Sequence, residues 1–319
     1  MAGYAAGRLL QAVALFFCIT CLAYVLLTLA PGGPLSTLRA NADISEEQIA
    51  KMTAQLGLDK PVLAQYGAWI GKALTGDLGT SFRTSQPVAA TLSQRIGPSL
   101  LLTLSALLAA VLIGIPLGIA SALRPGAAVD KLATALSFLT SSIPSFLLSL
   151  GLIFIFAVKL KLLPAQGMFY AGSPPTPGAL LIHLFLPSLI IAGNIVGGII
   201  KQTKGSVLEV LGEDFVRAAV AKGIGRRRVV LEHVFRNALI PVVTQIGLLT
   251  PFLVGGAVVV EQIFSWPGLG SLLVQSIINR DYPTVMGAVT LITAAVLTCN
   301  ILLDFIYMRL DPRITLRIQ

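Results

Sequence analysis

Charged residues are scarce in this chain of 319 residues, and those present avoid its long apolar runs. Asp, Glu, Lys and Arg together make up 12% of the sequence, whereas 55% of it is hydrophobic and the mean hydropathy is +0.85. A typical soluble domain has about 25% charged residues. The scarcity of charge therefore excludes an ordinary soluble domain and predicts an integral membrane protein.

Cysteine and histidine are also rare. The three cysteines, at positions 18, 21 and 299, all fall inside apolar runs, and no second pair accompanies the first two. The two histidines, His183 and His233, are 50 positions apart and belong to different predicted elements. We therefore expect neither a disulfide framework nor a metal site.

Two further absences concern the source of energy. The sequence contains no phosphate-binding loop, and the cores of its apolar runs hold no Asp, Glu, Lys or Arg. Gradient-driven carriers usually place ionisable residues within their membrane spans. We therefore expect no catalytic residues and no ion-coupling residues in this chain, and its energy is expected to come from a partner.

Long charge-free runs are the main positive signal. Each exceeds the roughly 20 residues that a helix needs to cross a bilayer. Prolines at 174, 175 and 177 break the fourth run and leave its span at about 179–200. The sequence thus predicts an all-α integral membrane protein with six transmembrane helices. The runs are 9–38, 96–123, 132–158, 162–200, 237–260 and 282–303.

Lys and Arg in the short connecting loops predict that both termini are cytoplasmic. In this topology, residues 1–30 form the N-terminus and first span, and residues 31–97 form an external loop. Residues 98–319 form a core with spans two to six, and a cytoplasmic hairpin lies at 205–240. The net charge of +9 mostly reflects the excess of Lys and Arg in the cytoplasmic segments. No separate basic domain indicates nucleic-acid binding.

The external loop carries signals for two short helices. A capping box at Ser45 predicts a helix that runs to about Gln55. A second helix is predicted from about Pro61 to Leu74, with a stop at Gly76. Tyr66 and other apolar residues recur on it at helical spacing, which indicates packing against the membrane domain.

The hairpin at 205–241 is the most polar segment between two apolar runs. It predicts one helix at about 206–222, ended by Gly223, and a second at about 226–238 before Pro241 opens the fifth span. The residues alone support two interpretations of the hairpin equally well. It is either a docking surface for an aqueous partner or an amphipathic loop that lies on lipid headgroups. The predicted apolar stripe consists of Leu208, Leu211, Phe215, Ala218 and Ala219.

Residues 217–223 read Arg-Ala-Ala-Val-Ala-Lys-Gly and are followed by His233, Arg236, Asn237 and Pro241. This pattern resembles the cytoplasmic coupling loop of ATP-binding-cassette importer permeases in the dipeptide, oligopeptide and nickel subfamily. The similarity extends along the chain, and the external loop resembles that of the first permease of the pair. Further matching segments are Leu56–Pro61, Gly76–Gly79, Ser142–Ser145, Phe264–Gly270, Arg280–Pro283 and Leu310–Arg313.

This resemblance implies a type I importer permease fold in the inner membrane, surrounded by lipid. It implies a homologous second permease, two ATPase subunits that bind ATP and Mg²⁺, and an external substrate-binding protein. The chain itself would bind no cofactor. The residues that the resemblance assigns to ATPase coupling are Asp214, Phe215, Val216, Arg217, Ala218, Ala219, Lys222, Gly223, His233, Arg236, Asn237 and Pro241.

Polar residues within the predicted spans are candidates for lining a translocation pathway. Ser and Thr in membrane helices more often bond to their own backbone or join helices. Pro116, Pro144 and Pro187 are predicted bends, and such bends can form a gate. The pathway candidates are Thr103, Ser105, Ser141, Ser142, Asn194, Gln245 and Asn300.

The function expected from the resemblance is ATP-driven import of dipeptides or oligopeptides through a pathway of which this chain forms half. Nickel chelates, glutathione or another small solute are alternative cargoes. Two other classes stay open, namely a stand-alone secondary carrier and a non-transporting membrane anchor. The sequence does not distinguish the cargoes.

Overall fold

The computed structural model describes residues 2–29, 47, 53, 59–170, 172, 174–225 and 228–310. Within these residues the regular secondary structure is helical, apart from one isolated antiparallel bridge between Thr80 and Pro87. The predicted all-α fold is confirmed. The predicted helix at 45–55 lies almost wholly outside the described residues, as do Arg226 and Arg227 of the hairpin.

The described helices are long and follow one another closely. A π-helical segment, Ile153–Lys159, continues α5, and another, Val229–Val234, leads into α8. The α-helices are α1 Ala2–Thr28, α2 Val62–Leu74, α3 Val88–Leu123, α4 Ala128–Ser142, α5 Ser145–Leu152, α6 Pro177–Leu211, α7 Asp214–Ala221, α8 Phe235–Ile263, α9 Leu269–Ile278 and α10 Tyr282–Leu310.

Five helices among the described residues are long and apolar enough to cross a membrane. They are Ala6–Thr28, Val88–Leu123, Pro177–Leu211, Val229–Leu249 and Tyr282–Phe305. A sixth span is broken, because α4 and the helix that begins at Ser145 meet at an angle of 106°. With the broken pair counted as one span, the number agrees with the six that the sequence predicts.

The break at Pro144 corrects the prediction of one helix across 132–158 and confirms the predicted bend at this proline. Proline disfavours helical geometry in the residue before it. Ile143 accordingly has extended geometry, with φ −95° and ψ 122°, and α4 ends at Ser142. By contrast, α3 continues through Pro116 and α6 continues through Pro187.

Several predicted boundaries shift. The second span is the later part of α3, which begins at Val88, so the predicted domain boundary at 97–98 falls inside a helix. The fourth span extends to Leu211 instead of ending near residue 200. Apolar residues alone do not set these ends, because a helix continues into water until a turn or a capping residue stops it.

One compact unit comprises Met1–Ser99 and Pro267–Ile301. Here α2 packs on α1, as the helical spacing of its apolar residues predicts. The Tyr66 hydroxyl lies 2.9 Å from Thr20 Oγ1, and the Tyr24 hydroxyl donates to Gln65 Oε1 at 3.3 Å. The Trp69 ring lies beside those of Tyr24 and Tyr66.

In the same unit, the Asp281 carboxylate connects a loop to the start of α10. Its Oδ2 accepts hydrogen bonds from Ser81 Oγ at 2.6 Å and from Thr284 Oγ1 at 2.7 Å. Its Oδ1 accepts the backbone N–H of Phe82 at 2.9 Å. Asp281 directly precedes α10 and accepts the hydroxyl of Thr284 in its first turn, so one carboxylate ties the loop to the start of the helix.

The other unit comprises Leu100–Trp266 and Leu302–Gln319, and α6 provides half of the buried residues of its main apolar core. Glycines let the neighbouring helices approach α6 closely. A Cβ at Gly114 or Gly118 of α3 would lie 2.7 Å from Ile199 or 2.6 Å from Thr203. A Cβ at Gly197 would lie 2.9 Å from the Ser137 carbonyl oxygen of α4.

Gly197→Val is expected to lower the free energy of unfolding by about 1–3 kcal/mol, because the new side chain would collide with the α4 backbone. Gly198→Val is the matched control, since no atom of a neighbouring helix lies within 4 Å of a Cβ at that position. Thermal unfolding of the detergent-purified chain measures both. Equal melting temperatures for the two variants would contradict the close-packing explanation.

Candidate functional site

The predicted hairpin is built from the end of α6, the short α7 and the start of the next long helix. The prediction of one helix over 206–222 is wrong, because α6 ends at Leu211 and α7 begins at Asp214. Gly212 has low helix propensity, and Glu213 has extended geometry with φ −72° and ψ 147°. The chain therefore changes direction between the two helices.

This change of direction also alters which face of α7 is buried. Val216 and Ala219 are buried, whereas Phe215 and Val220 are 43% and 58% exposed. Ala218 is exposed as well, so the predicted stripe that included Phe215 and Ala218 is wrong. The stripe assumed one helical phase from 206 to 222, and the break at 212–213 resets that phase.

Val216 and Ala219 belong to an apolar cluster that we call the hairpin cluster. It joins α7 to the ends of α3 and α6 and to the start of α8. Burying a valine side chain contributes about 1.5–3 kcal/mol, so this cluster fixes α7 on the unit. Its buried members are Ala122, Val207, Val216, Ala219, Val229, Val234 and Ala238.

Gly223 ends α7 in a Schellman motif. The Ile224 N–H donates to the Ala219 carbonyl at 3.3 Å, and the Gly223 N–H donates to the Val220 carbonyl at 2.9 Å. Gly223 has a φ of +78°, where a residue with a side chain costs roughly 1–2 kcal/mol. Ile224 packs against the hairpin cluster. The predicted helix stop at Gly223 is therefore confirmed.

The outward face of α7 combines apolar and charged side chains. Arg217 Nη2 lies 2.7 Å from Asp214 Oδ1 and also donates to the Gly212 carbonyl at 3.2 Å. Both charged side chains are largely exposed, and exposed pairs contribute at most about 1 kcal/mol. Phe215, Val220 and Lys222 are exposed as well, so α7 leaves both apolar and charged surface uncovered in this chain.

The second arm of the hairpin differs from the prediction. The π-helical segment Val229–Val234 passes directly into α8, so the predicted separate helix at about 226–238 is wrong. Pro241 lies inside α8 instead of opening a span. Arg236 and Asn237 are exposed, His233 is half-buried, and Asn237 Nδ2 donates to the His233 carbonyl at 2.8 Å.

Three of the pathway candidates bond to the backbone of their own helices. Thr103, Ser105 and Ser141 donate to carbonyls of Leu100, Leu102 and Ser137, respectively, on their own helices. This is the backbone bonding typical of hydroxyl residues in membrane helices. Their role in a pathway stays a prediction. Ser142, Asn194 and Asn300 are exposed in the chain, and Gln245 is half-buried.

Sequence reasoning did not identify an ion pair beside the hairpin cluster. Asp130 Oδ1 lies 2.5 Å from Lys204 Nζ and also accepts a hydrogen bond from Ser121 Oγ. Its Oδ2 accepts the Gly126 N–H at 2.9 Å. The two charged residues are 74 positions apart, and no motif or periodicity in one sequence pairs them.

Ala219→Leu is expected to weaken the docking of α7 by about 1–3 kcal/mol, because the larger side chain does not fit the hairpin cluster. Ala218→Leu, one position away on the exposed face, should be nearly neutral. The rate of tryptic cleavage at Arg217 and Lys222 in the purified chain measures the effect. Equal rates in both variants would show that the buried face of α7 is misassigned.

Two protein-family descriptions together match nearly the whole chain. Residues 114–316 match the family described as "Binding-protein-dependent transport system inner membrane component". Residues 1–105 match the family described as "Binding-prot-dependent transport system membrane comp, N-term". The first match alone covers more than half of the chain.

Relatives that match over nearly their full length are permease proteins too. A Brucella suis biovar 1 protein named as a peptide permease is 40% identical over 98% of this chain and 99% of its own. The oligopeptide transport system permease protein AppB of Bacillus subtilis is 38% identical over the same shares. The glutathione transport system permease protein GsiC of Salmonella paratyphi A is also 38% identical, again over 98% and 99%.

Solved structures support the fold. The inward-facing MetNI methionine ABC transporter matches with a TM-score of 0.55 and 20% identity, over 69% of this chain and 96% of that one. Because the identity is low, this likeness concerns the fold alone. Together with the family and full-length matches, it shows that the chain is a multi-pass inner-membrane permease subunit of the binding-protein-dependent, ATP-binding-cassette importer family.

Proposed function

We propose that this permease subunit forms half of a peptide-import pathway and that cytoplasmic ATPases drive it through α7. The observation that carries the proposal is the two-sided character of α7. Val216 and Ala219 anchor it to its own unit, while Phe215 and Val220 remain exposed. A short helix that presents apolar and charged groups suits insertion into a groove on a partner.

In this mechanism, ATP binding closes the ATPase dimer, and α7 moves with the cleft that holds it. Because α7 rests on the ends of α3, α6 and α8, its displacement reaches three spans at once. The spans then change from inward-open to outward-open. The broken span at Pro144 is the point at which such a change needs the least helix distortion, since no continuous helix has to bend there.

The proposed assembly has four other protein components. A homologous second permease completes the pathway, two ATPases bind ATP and Mg²⁺ and hydrolyse ATP, and an external binding protein delivers cargo. This chain hydrolyses nothing itself. Both of its termini and α7 lie in the cytoplasm, consistent with the excess of Lys and Arg in the loops of that side.

Peptides are the proposed cargo because the Brucella suis and Bacillus subtilis relatives are named for peptide and oligopeptide transport. Glutathione is the second candidate, since the Salmonella relative is named for it at similar identity. Both cargoes contain amide bonds between amino acids, an ammonium group and at least one carboxylate. Selection between them is assigned to the binding protein, so the pathway itself need not bind tightly.

Reconstitution tests the proposed function directly. The chain is placed in proteoliposomes with its second permease and ATPases, and uptake of labelled dipeptide, oligopeptide and glutathione is measured with binding protein and ATP. ATP-dependent peptide uptake is expected. Uptake by the single chain without ATP would establish a secondary carrier, and an assembled complex that moves no solute would establish an anchor.

Phe215→Ser combined with Val220→Ser is expected to reduce co-purification of the ATPases at least about tenfold without unfolding the chain. Two exposed apolar contacts would be lost, and each tenfold change in affinity corresponds to about 1.4 kcal/mol. Leu74→Ser, at an exposed leucine on α2, is the control, and this variant should bind the ATPases normally. Undiminished ATPase binding by the double variant would refute docking through α7.

The topology predicts opposite labelling of two exposed lysines. In a variant without native cysteines, Lys60→Cys should react with a membrane-impermeant maleimide applied outside spheroplasts, because the loop after α1 faces outward. Lys222→Cys should react only after permeabilisation. The reverse pattern would place α7 outside the cell, where no ATPase could reach it.

A further inference from the structure

The ion pair between Asp130 and Lys204 joins three helices close to the hairpin. Asp130 is in the first turn of α4, Lys204 is in the last third of α6, and Ser121 is near the end of α3. The carboxylate accepts the Ser121 hydroxyl, the Lys204 ammonium at 2.5 Å and the Gly126 N–H at 2.9 Å. Both oxygens are therefore occupied.

This pair is more sheltered than the other ion pairs of the hairpin region. The side chains of Lys204 and Asp130 are 29% and 13% exposed, compared with 72% and 94% for Arg217 and Asp214. Removing one partner from a sheltered pair leaves a charge without compensation. The pair thus restrains its helices more strongly than an exposed contact would.

Glycine contacts also pack the same helices against one another, and for α4 the contact lies farther from the hairpin than the ion pair does. Gly197 of α6 brings the α4 backbone at Ser137 within contact distance, about two turns from Asp130. Gly118 of α3 approaches Thr203, the neighbour of Lys204 on α6. On α3, Ser121 is followed directly by Ala122, which belongs to the hairpin cluster beside Val216 and Ala219 of α7.

We infer that Asp130 and Lys204 are positioning residues that make α4 follow α7 when the ATPases move it. The cluster connects α7 to α3 and α6, but α4 contributes no residue to that cluster. At the N-terminal end of α4, the ion pair connects this helix to α6, and the hydrogen bond from Ser121 connects it to α3. Without the pair, α7 would move α3 and α6 while the Asp130 end of α4 lagged behind, because the close contact at Gly197 lies about two turns away. This inference rests on the proposed coupling function of α7.

The experiment measures uptake and ATP hydrolysis in the same proteoliposomes, with the complete complex and its binding protein. Asp130→Asn and Lys204→Met are expected to reduce cargo transported per ATP hydrolysed at least about fivefold, the lower end of typical coupling effects. Hydrolysis itself should persist, because neither residue lies on the exposed face of α7. Lys204→Arg keeps the positive charge and should preserve the ratio.

Lys201→Met is the matched control. Lys201 lies one turn from Lys204 on α6 and is exposed. Its ammonium lies 4.8 Å from the centre of the exposed Phe138 ring of α4, so Lys201→Met removes an exposed contact between the same two helices instead of a sheltered ion pair. The same change of charge at this position should leave the ratio unaltered. Ser121→Ala, which removes one hydrogen bond without exposing a charge, should give a smaller reduction in the same direction.

The possible results separate this inference from the proposed function. If Asp130→Asn and Lys204→Met leave the ratio unchanged, or if uptake and hydrolysis fall in parallel, the inference is overturned while α7 can still be the docking element. If the Phe215 and Val220 double variant binds ATPases normally, the proposed function fails first. Should Lys204→Met not assemble, a normal ratio in Ser121→Ala decides against the inference.

Discussion

Close contact between helix backbones around α6 is the constraint on which the structure of this unit depends. Glycines on α3 and α6 remove the side chains that would otherwise separate the helices, and Gly197 places α6 against the Ser137 carbonyl of α4. Lipid offers little hydrophobic force between apolar helices, so their association depends on such packing and on hydrogen bonds. The Asp130 ion pair and the hairpin cluster both lie where these close-packed helices end. A surface helix like α7 can thus rest on a rigid support.

In the proposed mechanism, the hairpin transmits energy that a partner supplies. Its buried residues, Val216 and Ala219, face the support, and its exposed residues face outward. A partner that holds the outward face consequently acts on three helix ends together. Asp281 has a comparable joining role in the other unit, where one buried carboxylate holds a loop against the start of a helix.

Much of the fold could be predicted from the sequence, because span number and helix type follow from hydropathy and from the length of apolar runs. The break at Pro144 and the stop at Gly223 were predictable for backbone reasons that are local. Three features could not be predicted in this way, namely the end of α6, the burial of Val216 and the path of the second arm of the hairpin. They depend on a phase reset at Gly212 and Glu213 and on which neighbours the side chains meet. The pairing of Asp130 with Lys204 is entirely tertiary, so no local pattern indicates it.

The uninterrupted passage from Val229 through Ile263 has a mechanical consequence. At ~1.5 Å per residue this helix is roughly 50 Å long, and one of its ends lies in the hairpin cluster. Because the helix is this long, a tilt of only about 5° at that end would displace the opposite end by about 4 Å. This displacement is close to the diameter of the cylinder on which the Cα atoms of a helix lie. The helix can therefore act as a lever arm, in which a small rotation imposed on one side of a membrane becomes a large translation on the other.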